Sequence, residues 1–335
     1  MQTKSLISVI VPIYNQEKYV AECLSSLFSQ ATERVEFILI DDGSTDRSAA
    51  ICEAHVAKSG ANARLLRQTN HGLLKTRVIG LQQTTGEYVL FVDSDDCLLD
   101  GALQTLIRVL DERGPDVVLF NATNDKNGKA PLFAYPFGDG AAFSGADKYP
   151  LYRLLCGTDK LNNIWAKCVR RALFDDDKLY QDIEGISNGE DLYQSLVLID
   201  RAENVLFLDR VLYYYRVTNA NMSRSYNPRH FASEKKVCAR RLRYAEKWSR
   251  NGVELVADAN VWICKIMRDV TRKLFVSSLP WPEIAAELRR LRGDDFYRAH
   301  YLNTRCDPNP RDAVLKSPLP LMRLWKLVYG LKPRR

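Results

Sequence analysis

Three carboxylates stand close together at Asp93, Asp95 and Asp96, near the end of the run Glu87-Tyr-Val-Leu-Phe-Val-Asp-Ser-Asp-Asp-Cys-Leu98. Tyr88 to Val92 is short, apolar and rich in β-formers, which is the composition of a strand buried on both faces. Acids gathered at the end of such a strand lose hydration and repel one another, so they need a cation. Hard oxygen donors favour Mg²⁺ or Mn²⁺, ions that keep waters and bridge a diphosphate. The first expectation is therefore a metal–diphosphate site at the carboxyl edge of a parallel sheet, where open α/β folds place ligands. The competing expectation is a plain acidic turn in which Asp96 or Asp100 caps the next helix.

The elements that must position these acids follow from periodicity and turn chemistry. Ser5 to Ile13 reads as a strand with Pro12 at its end, where a missing N–H is tolerated. Val20, Cys23, Leu24, Leu27 and Phe28 recur at helical spacing and predict a helix over 18–30. Strands are expected over 36–40, ending at Asp41-Asp42, and over 63–67. Helices are expected over 47–58, after the Gly43-Ser44-Thr45-Asp46 turn, and over 73–84, after Asn70-His71-Gly72. A helix over 102–112 and a strand over 117–121 continue the pattern, and the polar stretch 124–145 reads as a long surface loop or hairpin. This β-α alternation implies a parallel sheet with right-handed crossovers. Neither a Gly-x-Gly-x-x-Gly after the first strand nor a Gly-x-x-x-x-Gly-Lys-Ser/Thr occurs, which argues against a dinucleotide-binding fold and a P-loop.

At 335 residues the chain is long enough for one large or two ordinary domains. Its net charge of +7 is concentrated after residue 228 and is compatible with nucleic acid, an anionic membrane or anionic substrates. No nucleic-acid module accompanies it, so a nucleic-acid partner is not expected. The eight cysteines are scattered without a Cys-x-x-Cys pair, so reduced thiols are expected rather than zinc. No run approaches the ~20 apolar residues of a membrane span, and the N-terminus lacks signal-peptide character, so the expected location is cytoplasmic. Helices are expected over 231–249, 254–277 and 282–291. Residues 317–335 mix apolar residues with Lys and Arg and hold no acid. That composition suits an anchor on anionic lipid, and equally a terminal helix packed on its domain.

Three of these segments, Ile7-Ser-Val-Ile-Val-Pro-Ile-Tyr-Asn15, Ile40-Asp-Asp-Gly-Ser-Thr-Asp46 and Gly86-Glu-Tyr-Val-Leu-Phe-Val-Asp-Ser-Asp-Asp96, resemble the family 2 glycosyltransferases of the bacterial surface-polysaccharide type. The resemblance is close over residues 5–125 and looser over 160–225. It implies a GT-A fold: an α/β domain with a mostly parallel, Rossmann-like sheet flanked by helices, followed by a mainly helical C-terminal extension. The domains are then 1–225 for catalysis (nucleotide-binding half 1–125, acceptor half 126–225) and 226–335 for the helical region.

The resemblance also implies roles. Pro12, Tyr14 and Glu17 line the base and ribose pocket, Asp42 holds a base edge, and Asn70, Arg77 and Ser94 belong with the donor. Arg77 is expected to pair with Asp95 or the donor, although Leu74, Thr76 and Val78 depart from the family pattern around it. Asp95 is the principal ligand of Mn²⁺ or Mg²⁺, with Asp93 touching metal and ribose. Trp165 floors a sugar pocket, unless it is ordinary core, and Lys167 faces phosphate. Asp191 is the general base with Glu190 its rival, lying away from Asp93 and Asp95, though both acids also suit a helix start. Arg216 and Ser223 close over the diphosphate. The expected function is single-sugar transfer, inverting and metal-dependent, from a nucleotide diphosphate sugar (a UDP-hexose) to an acceptor hydroxyl on a lipid-linked glycan. The enzyme would be peripheral on the inner face of the cytoplasmic membrane. A nucleotidyltransferase or a non-catalytic nucleotide-sugar-binding protein are the alternatives.

Overall fold

The computed structural model describes residues 5–126, 128, 130–175, 186–218, 226–249, 253–304 and 310–329. They fall into two compact units: residues 1–151, 160–184 and 190–218 in the first, and 152–159, 185–189 and 219–335 in the second. Ser223 lies outside the described residues.

The first unit is built on one mixed sheet. β1 (Ile7–Ile13), β2 (Val35–Asp41), β3 (Ala63–Arg67) and β4 (Tyr88–Phe91) run parallel in the order β3-β2-β1-β4. Every residue of β1, β2 and β4 is buried, as continuous apolar runs require of strands covered on both faces. The crossovers are α1 (Val20–Phe28), α2 (Ser48–Ser59) and α3 (Leu73–Gln82). Parallel strands deliver their carboxyl ends to one edge, so the loops after β1, β2 and β4 open on the same side. Gly80 sets how closely α3 lies on the sheet: a Cβ there would come within 2.5 Å of Ile10 Cγ2.

Beyond Phe91 the sheet departs from simple alternation. β5 (Cys97–Leu98) leads into α4 (Ala102–Arg113) and β6 (Val117–Thr123). β7 (Ala142–Ser144) precedes α5 (Tyr149–Gly157), and β8 (Lys167–Arg170) enters antiparallel between β4 and β6. After α6 (Glu190–Arg201), β9 (Asn204–Tyr214) runs parallel to β6 and carries β5 and β7 antiparallel. The capping alternative does not hold. The residue before α4 is Gly101, with no side-chain cap, and neither Asp96 nor Asp100 takes that role. The stretch 124–145 is less solvated than expected. Phe133, Tyr135 and Phe137 are half-buried at every second position: Tyr135 and Phe137 stack on each other and pack edgewise on Phe207 and Phe143, and Phe133 lies tilted against Trp165.

Glu36 ties β2 to the turn that introduces β4. It is 3% exposed, and its Oε1 accepts from Ser8 Oγ at 2.6 Å, Thr85 N at 2.6 Å, Thr85 Oγ1 at 2.8 Å and Gly86 N at 3.1 Å. Burial alone would raise its pKa, but these hydrogen bonds outweigh it and lower the pKa. Its ionised form therefore stabilises the fold above the ordinary glutamate value of ~4.3 and ceases to as pH falls through the lowered folded value. Glu36→Gln is expected to lose stability at pH 7 and to flatten the acid limb of a denaturant-midpoint-against-pH profile. An unchanged acid limb would show that Glu36 carries no such linkage.

The second unit is helical. α7 (Pro228–Trp248), α8 (Glu254–Val276) and α9 (Trp281–Gly293) are followed by α10 (Asp295–Tyr297), a π-turn over Arg298–Leu302, α11 (Pro310–Lys316) and α12 (Leu319–Tyr329). Their core holds Phe231, Ile263, Met267, Leu288, Tyr297 and Met322. Asn227 caps α7 by accepting from Arg229 N, with Pro228 in the first turn. Six cysteines are free and buried, but Cys264 is disulfide-bonded, which corrects the expectation of reduced thiols throughout. Spacing along the chain carries no information about which thiols meet in space. Among the described residues no helix is long and apolar enough to cross a membrane.

Candidate active site

The β1–α1 and β2–α2 loops clasp each other at the carboxyl edge. Asn15, in the left-handed region at φ 52°, accepts from Thr45 N at 2.8 Å, and its own N donates to Ser44 Oγ at 3.0 Å. Gln16 N donates to Ser48 Oγ at 2.7 Å, Glu17 N to Asp46 Oδ2 at 3.0 Å, and Arg47 N to Glu17 Oε2 at 3.1 Å. Pro12 lies buried beneath, and Tyr14 stands 48% exposed at the rim. Asp42 is 3% exposed. Its Oδ1 accepts from Gln68 Nε2 at 2.7 Å and His71 N at 2.8 Å, and its Oδ2 from Gly72 N at 2.9 Å. With three of about four acceptor positions used, Asp42 anchors the loop that carries exposed Asn70 and starts α3. Gly43 makes that turn possible. Its φ is +76°, and a Cβ would sit 2.8 Å from Asn70 N.

The acidic turn after β4 is held from β9. Tyr213 Oη donates to Asp96 Oδ2 at 2.8 Å and accepts from Asp93 N at 3.1 Å, while Arg216 N donates to Asp96 Oδ1 at 2.7 Å. Asp96 is 1% exposed, and burial, followed by the charges of Asp93 and Asp95, pushes its pKa up to about 8. Asp96 is thus a framework residue. Asp95 differs: among the described residues its carboxylate has no partner beyond its own backbone N–H. Burial, then Asp93, pushes its pKa up to about 6. Ser94 between them is buried.

Arg77 is the centre of the arrangement. It is 1% exposed, with Nη2 donating to Asp93 Oδ1 at 2.9 Å and Nη1 to Asp191 Oδ1 at 2.5 Å. Burial opposes its charge, but Asp191, Asp93 and Glu190 outweigh that and raise its pKa. Asp191 Oδ2 also accepts from Ile164 N at 3.3 Å. Glu190, beside it at the start of α6, is pushed up to about 7 by burial and then by the charge of Asp191. Two expectations are corrected here. Arg77 pairs with Asp93 and Asp191, not Asp95. Asp191 does not lie apart from Asp93, because one guanidinium fork reaches both. Lys148 fixes α6 from its other end: its Nζ donates to the carbonyls of Ile199, Asp200 and Ala202 at 3.0, 3.0 and 2.7 Å.

Lys167 and Arg216 are placed differently from expectation, and Trp165 takes the second of its two expected places, the core. Lys167 is 1% exposed, and its Nζ donates to Leu161 O at 2.9 Å and to Asn163 O, so it cannot face a phosphate. Burial pulls its pKa down to about 7. Trp165 is 6% exposed and stacks on Tyr213 and Tyr215 at 4.6 and 5.5 Å between centroids. It is core behind the acidic turn, with almost no surface left for a sugar. Arg216 does not reach outward. Its Nε donates to Asp95 O at 2.7 Å and its Nη2 to Glu22 Oε2 at 2.7 Å, and its guanidinium lies over Tyr19 and Tyr214. It clamps the turn from beneath. Sequence reasoning missed Tyr213, although it stands in the same Tyr-Tyr-Tyr-Arg run that drew attention to Arg216.

Among the described residues no group of three or more His, Cys, Asp or Glu is arranged to hold a metal ion. Asp95, with its carboxylate unengaged, and the second oxygen of Asp93 nevertheless supply hard oxygen donors of the type a divalent cation takes. The cluster therefore fits such an ion through two residues, with Asp96 already committed to Tyr213 and Arg216.

The chain is similar to known glycosyltransferases. Residues 8–163 match the glycosyl transferase family 2 model. The chain is 27% identical over 334 residues to the uncharacterized glycosyltransferase EpsJ of Bacillus subtilis, covering 98% of this chain and 94% of EpsJ. It is 30% identical over 223 residues to glycosyltransferase GlyA of Streptococcus pneumoniae, covering 65% of this chain but only 31% of GlyA. Residues 1–349 of S. aureus TarS, solved in complex with UDP-GlcNAc, superpose with a TM-score of 0.63 at 23% identity, covering 98% of this chain and 93% of that one. The parallel β1–β4 core with its helical C-terminal region is thus a GT-A scaffold, and residues 8–163 are similar to glycosyl transferase family 2.

Proposed function

We propose that the chain is an inverting, metal-dependent hexosyltransferase that moves one sugar from a UDP-hexose to an acceptor hydroxyl, a lipid-linked glycan in surface-polysaccharide synthesis. The observation that carries this reading is the Arg77 fork between Asp93 and Asp191, which joins the acid at the end of β4 to the acid at the start of α6. The UDP-GlcNAc and UDP complexes of TarS support a nucleotide-sugar donor. The loop after β1 contains Glu17 and no glycine or basic cluster, which disfavours a nucleotidyltransferase. The catalytic domain in this reading is 1–225.

Asp95 and Asp93 would hold Mn²⁺ or Mg²⁺, and the ion would neutralise a leaving diphosphate. Pro12, Tyr14, Glu17 and Asn70 would line the nucleotide, with Asp42 acting through the loop it anchors. Asp191, oriented by Arg77 and Ile164 N, takes the proton of the acceptor hydroxyl as it attacks the anomeric carbon. Glu190 is the rival for that role, since a carboxyl near pKa 7 is poised for proton transfer. Calorimetry of UDP with and without Mn²⁺, on wild type and Asp95→Asn, tests the donor site. Tight binding is expected only for the wild type with metal, and equal affinity in all four titrations would sink the reading.

The membrane part of the proposal rests on α12. Met322 is buried in the helical core, whereas Leu321, Leu324, Trp325 and Leu327 are 48%, 58%, 38% and 58% exposed beside exposed Arg323. One face of the helix packs and the other presents apolar surface, within a segment that holds no acid. That face would lie in the interface of an anionic bilayer, each nearby basic residue adding roughly 1 kcal/mol. Sedimentation with phosphatidylglycerol vesicles is expected for the full chain and should be lost in Leu321→Ser/Leu324→Ser. A full chain that ignores such vesicles at low salt would reduce the face to packing surface.

A further inference from the structure

The helical unit contains a cavity of about 300 Å³, at the lower end of the range for small-molecule sites. All of its lining residues lie within that unit. Its walls carry three carboxylates (Asp159, Glu234 and Asp269) and two ammonium groups (Lys265 and Lys273). An indole ring, Trp262, and the His230 imidazole complete the part that matters for chemistry. None of these residues belongs to the acidic cluster around Arg77.

Two of these groups make no side-chain hydrogen bond among the described residues. His230 is 7% exposed and lines the cavity, yet its imidazole has no hydrogen-bond partner among the described residues. Burial, and then the charge of Lys273, lowers its pKa, so the ring is neutral near pH 7 and offers one donor and one acceptor. Asp159 stands exposed at the cavity, also without a hydrogen-bond partner among the described residues, its charge acting on the buried guanidinium of Arg241. The other charges are partly satisfied: Asp269 pairs with Lys273 at 2.7 Å, and Glu234 accepts from Asn188 Nδ2. A buried, unpaired imidazole costs free energy unless something hydrogen-bonds to it.

The charge balance points to the class of ligand. Three carboxylates face two ammonium groups and the buried guanidinium of Arg241, whose charge acts on Glu234 and Asp159, so the surroundings of the cavity are close to neutral and call for neither an anion nor a cation. One ammonium is already paired with Asp269. A neutral polyhydroxylated ligand answers both demands, since each hydroxyl donates to a carboxylate or imidazole and accepts from an amide or ammonium. A sugar ring also has an apolar C–H face that packs on an indole. We infer that this cavity is a binding site for a neutral saccharide, separate from the site around Arg77. That the saccharide is part of the acceptor glycan rests on the glycosyltransferase reading above.

Saturation-transfer NMR on the full chain tests this with the methyl glycosides of glucose, galactose and N-acetylglucosamine, with cellobiose, and with inorganic phosphate as a competitor. At least one neutral saccharide is expected to bind without competition from phosphate. Asp159→Asn and Trp262→Ala should each weaken that binding by roughly tenfold, the loss of one contact to a charged or aromatic group. Trp262→Phe, which keeps a ring and guards against a folding defect, should lose less. UDP affinity, measured on the same variants, should not change. No saccharide bound, equal binding in wild type and variants, or displacement by phosphate would overturn the inference. Saccharide binding that survives while UDP fails to bind the wild type would instead overturn the glycosyltransferase reading and leave the cavity as proposed.

Discussion

Asp191→Asn is expected to lower kcat by roughly 10²- to 10⁴-fold, the usual worth of a positioned general base. An acceptor hydroxyl is a poor nucleophile at neutral pH, so a group must take its proton as the new bond forms. Asn keeps the shape of Asp191 but has one acceptor oxygen, so it can accept from Ile164 N or from Arg77 and not from both, while Arg77 retains Asp93 as a counter-ion. The substitution therefore removes basicity and one hydrogen bond, and UDP affinity should stay near the wild-type value. Glu190→Gln should cost less. Steady-state kinetics and calorimetry on both variants decide the matter. If Glu190→Gln is the more damaging change, the carboxyl that burial and Asp191 push up to about 7 is the base instead. If neither change lowers kcat by tenfold, proton removal does not run through the start of α6. A product that keeps the donor's anomeric configuration would remove the single-displacement step.

The second large effect is expected from Arg77→Met. Methionine fills comparable volume but leaves the Asp93 and Asp191 carboxylates, 24% and 22% exposed, without their shared cation. Breaking a buried pair by deleting one partner costs about 3–5 kcal/mol. Partial exposure of both carboxylates places this case near the lower end, at about 3 kcal/mol. The loss should depend on pH. Burial already raises the Asp93 carboxyl, and without the guanidinium it gains further by binding a proton in the folded state, so the variant becomes less stable as pH rises through the carboxylate range. The gap to wild type should thus be widest at pH 7 and narrow toward pH 4. Arg77→Lys should recover part of the stability and little of the activity, because one ammonium cannot reproduce a fork that serves two carboxylates. Urea midpoints at pH 7 and pH 4 provide the test, and a loss below 1 kcal/mol at pH 7 would mean that Arg77 does not hold the cluster together.

Much of the first unit was legible from residue order. β1, β2 and β4 are apolar runs that only a doubly covered parallel strand accommodates, and β3 runs over 63–67 as the spacing predicts. Such runs report their own burial, and Gly, Asn and Ser between them report the turns. β8 was not legible. It is four residues long, includes a lysine, and enters antiparallel between two parallel strands without a helix of its own. The inward side of 124–145 was masked by its polar composition, although Phe133, Tyr135 and Phe137 at every second position carried the signal of a half-buried extended segment.

The same division runs through the site. Residue types and order determined that acids gather after β4, that a second acidic pair opens α6, and that an arginine precedes Gly80 on α3. What each of these groups does depends on which atoms face it, and that was decided by tertiary packing. Asp96 is spent on Tyr213 and Arg216 N, whereas Asp95, one residue earlier, is open. Lys167 points its ammonium at carbonyls of its own segment, and Trp165 stacks behind the turn. Above all, Arg77 and Asp191 are 114 positions apart in the chain, and their meeting depends on Gly80 letting α3 lie close on β1 while Lys148 holds the far end of α6. Local sequence specifies the charge that each element brings. The pairing of charges across elements follows from how closely those elements pack, a quantity that no single segment contains.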